Sequence, residues 1–227
     1  MRFSGMPGTF EAFFFDLDGT LLYTLGDIAA NANYALSQRG CPTHETERYR
    51  QFVGDGVLVL MKRILPEGRR TPEEIEALRE IYMARDAERA CALTRPYDGI
   101  PEMLLALRQR GVKAAVVSNK PESQVRFAVE KFFGRSARFG ENPFDFIIGG
   151  GNLPLKPDPA MLFRTADVLG LPLERCILAG DSGMDMRAAK SAGCTAVGVT
   201  WGFRDAEELL QNGADHIIHK PGELLTL

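Results

Sequence analysis

The sequence predicts an α/β protein in which a Rossmann-like parallel sheet core carries an inserted, small, all-helical domain. Short apolar runs rich in β-branched or aromatic residues alternate with helical patterns along most of the chain. Strands separated by helices favour a parallel sheet that is covered by helices on both faces. Between residues 21 and 92 the alternation stops, and only helical patterns appear. The 227 residues are enough for one core with such an insert.

Six buried strands and five helices are expected in the core. The strands are residues 10–15, 112–117, 146–148, 176–179, 196–199 and 216–218. The helices are residues 101–110, 121–133, 159–169, 184–192 and 205–212. The first of these helices begins at Pro101 and is followed by Gly111, an asymmetry that is typical of helix ends.

The helical insert is predicted to contain helices at residues 25–38, 55–65 and 71–90 and no strand. The last helix has the clearest start, because Thr71 can cap it, Pro72 suits its first turn and two acids follow. These patterns divide the chain into a core of residues 1–20 and 93–227 and an insert of residues 21–92. The two connections between core and insert are adjacent and predict a hinge.

Composition and charge narrow the classes of function. A formal net charge of -3 gives no excess of basic residues that would indicate binding to nucleic acid. No apolar stretch approaches the roughly 20 residues of a membrane helix, and the first ten residues lack the apolar region of a signal peptide. The four cysteines lie far apart, and the three histidines lack the spacing of a zinc site. We therefore expect a cytoplasmic protein with reduced thiols, no nucleic-acid partner and no membrane partner; the oligomeric state is left open.

Polar residues stand at the carboxyl ends of four predicted strands, where open parallel sheets bind ligands. Asp16 and Asp18 follow the first strand. The others are Ser118 and Asn119 after the second, Lys156 in the loop after the third, and Asp181, Ser182 and Asp185 after the fourth. Each group alone has a plain structural explanation as a turn, a stiff loop or a helix cap. Their combination at four strand ends indicates one polar pocket.

The clustered carboxylates indicate a metal ion and a phosphoryl group. Two negative charges about 4 Å apart repel each other, and a divalent cation removes that repulsion. Oxygen ligands without histidine or cysteine favour Mg²⁺, which commonly binds one or two carboxylates and a substrate phosphate. Asp16 and Asp181 suit this role, with Asp185 holding a water or the loop geometry. One carboxylate can attack phosphorus and a second can transfer protons, while Lys156 and Ser118 offset the phosphoryl charge.

Taken in order, these motifs resemble those of the haloacid dehalogenase superfamily. The residues that carry the resemblance are Asp16-Leu17-Asp18-Gly19-Thr20, Ser118-Asn119, Lys156 and Gly180-Asp181-Ser182-Gly183-Met184-Asp185. The helical insert is similar to the cap domain of that superfamily. The stretches at residues 52–57, 95–100 and 188–193 resemble its phosphoglycolate phosphatase branch.

The resemblance implies a role for each matching residue. Asp16 would be the nucleophile and a metal ligand, and Asp18 would be the general acid/base, with its backbone carbonyl on Mg²⁺. Asp181 would be the other protein ligand to the metal, supported by Asp185. The phosphoryl group would be held by Gly19, Thr20, Ser118, Asn119 and Lys156.

The sequence therefore predicts a Mg²⁺-dependent phosphatase that hydrolyses a small phosphorylated metabolite, similar to 2-phosphoglycolate, through an aspartyl-phosphate. Two alternatives stay open: a phosphosugar mutase of the same superfamily, and a phosphate-binding regulatory module without turnover. Tyr23 stands where many similar proteins are acidic, and residues 134–143 form a longer link than usual. We expect Tyr23 to affect substrate choice or cap closure and to leave the chemistry unchanged.

Overall fold

The computed structural model describes residues 10–89, 91–134 and 141–227. Its strands are β1 (Ala12–Phe15), β2 (Leu22–Tyr23), β3 (Arg95–Pro96), β4 (Lys113–Pro121), β5 (Phe146–Gly150), β6 (Cys176–Gly180), β7 (Thr195–Val199) and β8 (His216–Ile218). Its helices are α1 (Leu25–Gln38), α2 (Tyr49–Phe52), α3 (Val57–Ile64), α4 (Pro72–Arg89), α5 (Ile100–Gln109), α6 (Glu122–Phe133), α7 (Ala160–Leu169), α8 (Gly183–Ala192) and α9 (Ala206–Gln211).

Six strands form one parallel sheet in the order β5-β4-β1-β6-β7-β8. β1 lies at the centre, and the chain fills the sheet on one side of β1 before it returns to fill the other. The predicted α/β fold with a parallel sheet and helices on both faces is confirmed. Some residues of the sequence predictions lie outside the part of the chain that the structure describes. They are the first nine residues, Ala90 at the end of the predicted helix 71–90, and residues 135–140 of the long link.

The side chains of β1 alternate between the two faces of the sheet, as a strand requires. Phe13 and Phe15 join the apolar cluster beneath α5 and α6. Ala12 and Phe14 join the cluster beneath α7, α8 and α9. Since both faces are covered, the strand is buried along its whole length and holds its last residue in a fixed position.

Helices α1 to α4 form a helical insert around a third apolar cluster, which includes Leu36, Tyr49, Met61 and Leu78 and is joined by Phe203 of the core. Helix α4 begins as predicted, because Pro72 is its first residue and the Glu74 N–H donates to Thr71 Oγ1 at 3.3 Å. The predicted start of α3 at residue 55 was two residues early. Gly56 has a φ of +87°, which a helix cannot contain.

The prediction that the insert contains no strand was wrong for two residues. Leu22 and Tyr23 pair antiparallel with Pro96 and Arg95, so the two connections between core and insert form one small ribbon. Two residues are too few to show a strand period, and the partner strand lies far away in sequence. Tyr23 packs edge-on against Tyr97, and the Arg95 guanidinium stacks 4.6 Å from the centre of the Tyr23 ring.

Strand β4 extends further than the predicted residues 112–117. It continues to Pro121, with a shift of register against β5 between Val117 and Pro121. The apolar pattern ends before this polar extension, which is why the sequence predicted a shorter strand.

None of the described helices is both long and apolar enough to cross a membrane.

Replacing Phe14 by alanine should lower the free energy of unfolding by about 3–5 kcal/mol, since the ring is fully buried beneath α7 and α8. Denaturant unfolding measures the change. Phe163→Ala is the matched control, because half of the Phe163 side chain on α7 is exposed; its effect should stay within about 1 kcal/mol. Equal losses for the two variants would contradict this placement of the core.

Candidate active site

The candidate site lies at the carboxyl ends of β1, β4 and β6. Here the strand order changes direction: β4 and β5 lie on one side of β1, and β6, β7 and β8 lie on the other. In open parallel sheets this reversal leaves a crevice that binds ligands. Phe15 is level with Val116 of β4 and Ala179 of β6, and the Asp16 N–H donates to the Ala179 carbonyl at 3.0 Å. β1 and β6 therefore end beside Asp16, where the polar extension of β4 begins.

A tight turn after β1 brings both predicted acids to the same cavity. Leu17, between them, is buried in the core, and its carbonyl accepts the N–H groups of Leu21 and Leu22 at 3.1 and 3.0 Å. Asp16 and Asp18 both line the cavity. The one-residue spacing alone only permitted this proximity, and the turn explains how it is achieved.

Lys156 is the central cation of the site. Its buried ammonium group donates to Asp16 Oδ1 at 2.9 Å, Asp185 Oδ1 at 2.6 Å and the Val117 carbonyl at 2.7 Å. These three contacts use all three of its N–H donors. Burial acts against the charge of Lys156, but the two carboxylates outweigh burial and raise its pKa.

Three buried carboxylates, those of Asp16, Asp181 and Asp185, have oxygen atoms within 4.8 Å of one another. Burial raises the pKa of Asp16 to about 6, although Lys156 acts in the opposite direction. Burial, together with the charges of Asp16 and Asp185, raises the pKa of Asp181 well above its ordinary value. One ammonium group therefore does not compensate the negative charge of this cluster.

The donor set of the cluster fits a hard divalent cation such as Mg²⁺, because it consists of carboxylate oxygens whose charge is incompletely compensated. Asp16 and Asp181 are suited to hold the ion directly. Asp185 has fewer free oxygen lone pairs than Asp16 or Asp181, because it accepts more hydrogen bonds. Its Oδ2 accepts the Ser182 N–H at 3.1 Å and the Ser182 hydroxyl at 2.6 Å, while its Oδ1 binds Lys156. Asp185 therefore supports the start of α8 and the lysine.

Asp181 accepts two hydrogen bonds that the sequence did not predict, and two glycines pack closely against it. The Phe203 N–H donates to Asp181 Oδ2 at 2.7 Å, and the Thr20 hydroxyl donates to Oδ1 at 3.4 Å. A Cβ atom on Gly202 would lie 2.2 Å from the Asp181 Cβ, and one on Gly19 would lie 2.1 Å from Oδ2. The only signal in the sequence was that Gly202 and Phe203 follow a predicted strand.

The predicted phosphate-binding residues do not all reach the cavity. Ser118, Asn119 and Lys156 line it, whereas Gly19 and Thr20 lie beside it, against Asp181. Ser118 does not cap α6; its Oγ accepts the N–H of Lys120 at 3.3 Å within the extension of β4. The Asn119 carboxamide is fully engaged by backbone groups of Gly54 and Lys156.

Lys120 is a second, partly buried cation of the site and was not among the predicted catalytic residues. Its Nζ lies 3.2 Å from both carboxylate oxygens of Asp18. Burial opposes the charge of Lys120, but Asp18 and the neighbouring Tyr82 and Asp86 raise its pKa. A basic residue directly after Ser118-Asn119 was visible in the sequence, but nothing there showed that it turns towards Asp18.

The insert forms the opposite wall of the cavity with mostly apolar side chains, which are Ile28, Val53, Val57, Leu60 and Tyr82. The cavity has a volume of about 60 Å³, room for several water molecules. The Arg204 guanidinium donates to the Val53 carbonyl at 2.9 Å and also to the Arg50 carbonyl, which joins core and insert over the site. Tyr23 is not part of the cavity wall and lies in the connecting ribbon.

Comparison with known proteins agrees with this geometry. The family model of haloacid dehalogenase-like hydrolases matches residues 10–193. Phosphoglycolate phosphatase of Mannheimia succiniciproducens is 34% identical over 98% of this chain and 100% of its own length. Phosphoglycolate phosphatase of Pseudomonas putida is 37% identical over 87% of this chain and 72% of its own length. The crystal structure of a predicted phosphoglycolate phosphatase from Haemophilus somnus has a TM-score of 0.85 and 30% identity, and the match covers 96% of this chain and 97% of that one.

These relatives bear out the prediction of a phosphoric monoester hydrolase similar to phosphoglycolate phosphatases. The match to the family model extends from the start of the described core through the helical insert to the end of α8. The chain therefore belongs to the haloacid dehalogenase-like hydrolase family.

Proposed function

We propose that the protein is a Mg²⁺-dependent phosphatase that hydrolyses a small phosphorylated metabolite through an aspartyl-phosphate. The observation that carries this proposal is the group of three buried carboxylates around one fully buried lysine at the end of β1. Phosphoryl transfer requires compensation of charge on the phosphoryl oxygens and an aligned nucleophile, and this group supports both needs.

Asp16 is the proposed nucleophile. Its carboxylate attacks phosphorus as the bond from phosphorus to the leaving oxygen breaks, which gives an aspartyl-phosphate and an alkoxide. Lys156 fixes Oδ1 of Asp16 and so orients the carboxylate, while the Ser118 hydroxyl, on the cavity wall, is placed to donate to a phosphoryl oxygen. Asp16 and Asp181 would hold Mg²⁺, with the Asp18 carbonyl as a third ligand and Asp185 in support. Bound Mg²⁺ supplies positive charge against the phosphoryl oxygens.

Asp18 is the proposed general acid/base. It gives a proton to the leaving alkoxide and later takes one from the water that attacks the aspartyl-phosphate, which releases inorganic phosphate and restores the Asp16 carboxylate. The contact between Asp18 and Lys120 holds the acid at the end of the cavity that faces the insert. Asp18 therefore lies where the leaving group of a substrate would enter.

A small substrate similar to 2-phosphoglycolate is proposed on two grounds. The cavity is small and closed on one side by apolar side chains of the insert. The relatives that match nearly the whole chain are named phosphoglycolate phosphatases. We also propose that residues 21–92 act as a cap over the core of residues 1–20 and 93–227, with the ribbon of β2 and β3 as its hinge.

Replacing Asp16 by asparagine should lower kcat for phosphate release from 2-phosphoglycolate by on the order of 10³-fold or more, because the nucleophile is lost. Asp18→Asn should cost about 10²–10⁴-fold through the loss of proton transfer. Asp215→Asn is the matched control, since Asp215 accepts the Ala196 N–H at the opposite end of the sheet; its kcat should stay near that of the wild type.

The same assay, run on a panel of phosphoesters, separates the alternatives. Formation of an isomeric sugar phosphate from a sugar 1-phosphate would identify a mutase. A stable phosphorylated protein without turnover would identify a regulatory module. An Asp16→Asn variant with unchanged kcat would exclude the proposed mechanism.

Removal of divalent cations with EDTA should abolish phosphate release, and addition of Mg²⁺ should restore it, because the charge of the carboxylate cluster and of the phosphoryl group is then compensated. Thermal unfolding gives a second readout, since Mg²⁺ bound to the folded cluster should raise the Tm. The control is Asp181→Asn, in which the rise in Tm should shrink. Full activity in EDTA would refute the metal requirement.

Gly202→Ala should lower kcat/KM and raise the Mg²⁺ concentration needed for half-maximal activity, each by about tenfold or more, because the new Cβ would displace Asp181. Gly68→Ala is the control, since no atom lies within 4 Å of its added Cβ. A Gly202→Ala enzyme with wild-type Mg²⁺ dependence would show that the position of Asp181 does not matter for the metal.

A further inference from the structure

We propose that Asn119 is a positioning residue whose carboxamide couples docking of the insert to the placement of Lys156. This inference rests on the proposed function, because Lys156 orients the nucleophile there. It assigns Asn119 a role different from contact of its side chain with the phosphoryl group. The relevant part of the insert is the loop of residues 53–56 between α2 and α3, called the insert loop below.

The carboxamide of Asn119 pairs with the backbone on both sides of Lys156. Asn119 Oδ1 accepts the Lys156 N–H at 2.8 Å, and Asn119 Nδ2 donates to the Lys156 carbonyl at 2.9 Å. The amide plane therefore fixes both peptide groups of the lysine. Only 7% of Asn119 is exposed, so water does not readily replace these bonds.

The same nitrogen also binds the insert loop. Asn119 Nδ2 donates to the Gly54 carbonyl at 3.0 Å. An amide group has two N–H donors, and the carbonyls of Gly54 and Lys156 use both. No donor of the side chain is left for a phosphoryl oxygen. The carboxamide can instead satisfy all its bonds only when the insert loop and the Lys156 backbone are both in place.

A second contact joins the insert loop to the same segment. Gly56 lies so close to Leu155 that an added Cβ would come within 2.9 Å of Leu155 Cδ1. Leu155 directly precedes Lys156 in the chain. The insert loop therefore meets the lysine segment through Asn119 and through Leu155.

The placement of the Lys156 backbone matters because its ammonium group already makes three contacts of 2.6–2.9 Å. A small shift of the backbone would lengthen these contacts together and would release the Asp16 carboxylate from its orientation. Misplacement of a catalytic group by about 1 Å can cost on the order of 10²-fold in rate. Asn119 is thus the link through which a docked insert would favour an oriented nucleophile.

The first test compares Asn119 with a matched carboxamide inside the insert. Asn33 makes the same reciprocal pair with the backbone of His44, at 2.8 and 3.0 Å, away from the cavity. Asn119→Ala should lower kcat at saturating 2-phosphoglycolate by about 10–100-fold, whereas Asn33→Ala should stay within about threefold even if both lower the Tm. Asn119→Asp has the same shape but sets an oxygen against two carbonyls, so its kcat should also fall by about tenfold or more. A wild-type kcat in Asn119→Asp would overturn the proposal.

The second test measures the coupling without turnover, so that it does not depend on the proposed function. Arg50→Ala removes a separate bond between insert and core, that from Arg50 Nη1 to the Gly202 carbonyl at 2.7 Å. Hydrogen exchange of the Lys156 amide should be faster in Arg50→Ala than in the wild type, and faster still in Asn119→Ala. In the double variant Arg50→Ala should add no further increase, because the link is already broken. Independent, multiplicative effects of the two substitutions would overturn the proposal. If the wild type releases no phosphate from any ester, the proposed function fails, and the exchange result still decides the coupling.

Discussion

The site depends on the position of one ammonium group. Lys156 is buried where three strands end, and its three donors bind two carboxylates and a backbone carbonyl. A buried lysine without such partners would not remain charged, and the acids without the lysine would repel each other. The parallel sheet meets this requirement because it brings the ends of β1, β4 and β6 to one point, and the loop that carries Lys156 is attached to the edge of β4 by Asn119.

The charge of the site is distributed unevenly, and this suits phosphoryl transfer. On the core side, three carboxylates share one lysine, so that side has room for added positive charge. On the side of the insert, Asp18 is paired with Lys120, which also lies near Tyr82 and Asp86. The proposed nucleophile therefore lies on the side suited to the cation, and the proposed acid/base lies on the side where the alcohol would leave. Two acids separated by one residue thus have different surroundings.

The sequence predicted most of the architecture because that architecture depends on apolar period and on helix ends. The order of strands and helices followed from these signals, and the residues around Asp16 followed from their positions at strand ends. The features that the sequence did not predict depend on contacts between distant residues and on the orientation of individual side chains. The pairing of Leu22 and Tyr23 joins residues far apart in sequence. The engagement of the Asn119 carboxamide and the turn of Lys120 towards Asp18 depend on side-chain torsions, which spacing does not encode. The roles of these residues in catalysis stay predictions.

The ribbon of β2 and β3 has a consequence for how such a protein can vary. The chain leaves the core at Leu22 and returns at Pro96, and these two residues are direct partners in the ribbon. The intervening segment begins and ends at neighbouring points, so its length and shape place no strain on the sheet below. A segment closed in this way can change in length while the sheet below keeps its strands in place, provided that the contact of the Gly54 carbonyl with Asn119 is kept. Most of the insert can therefore vary without a change in the sheet, whereas the loop of residues 53–56 is constrained by its contact with Asn119.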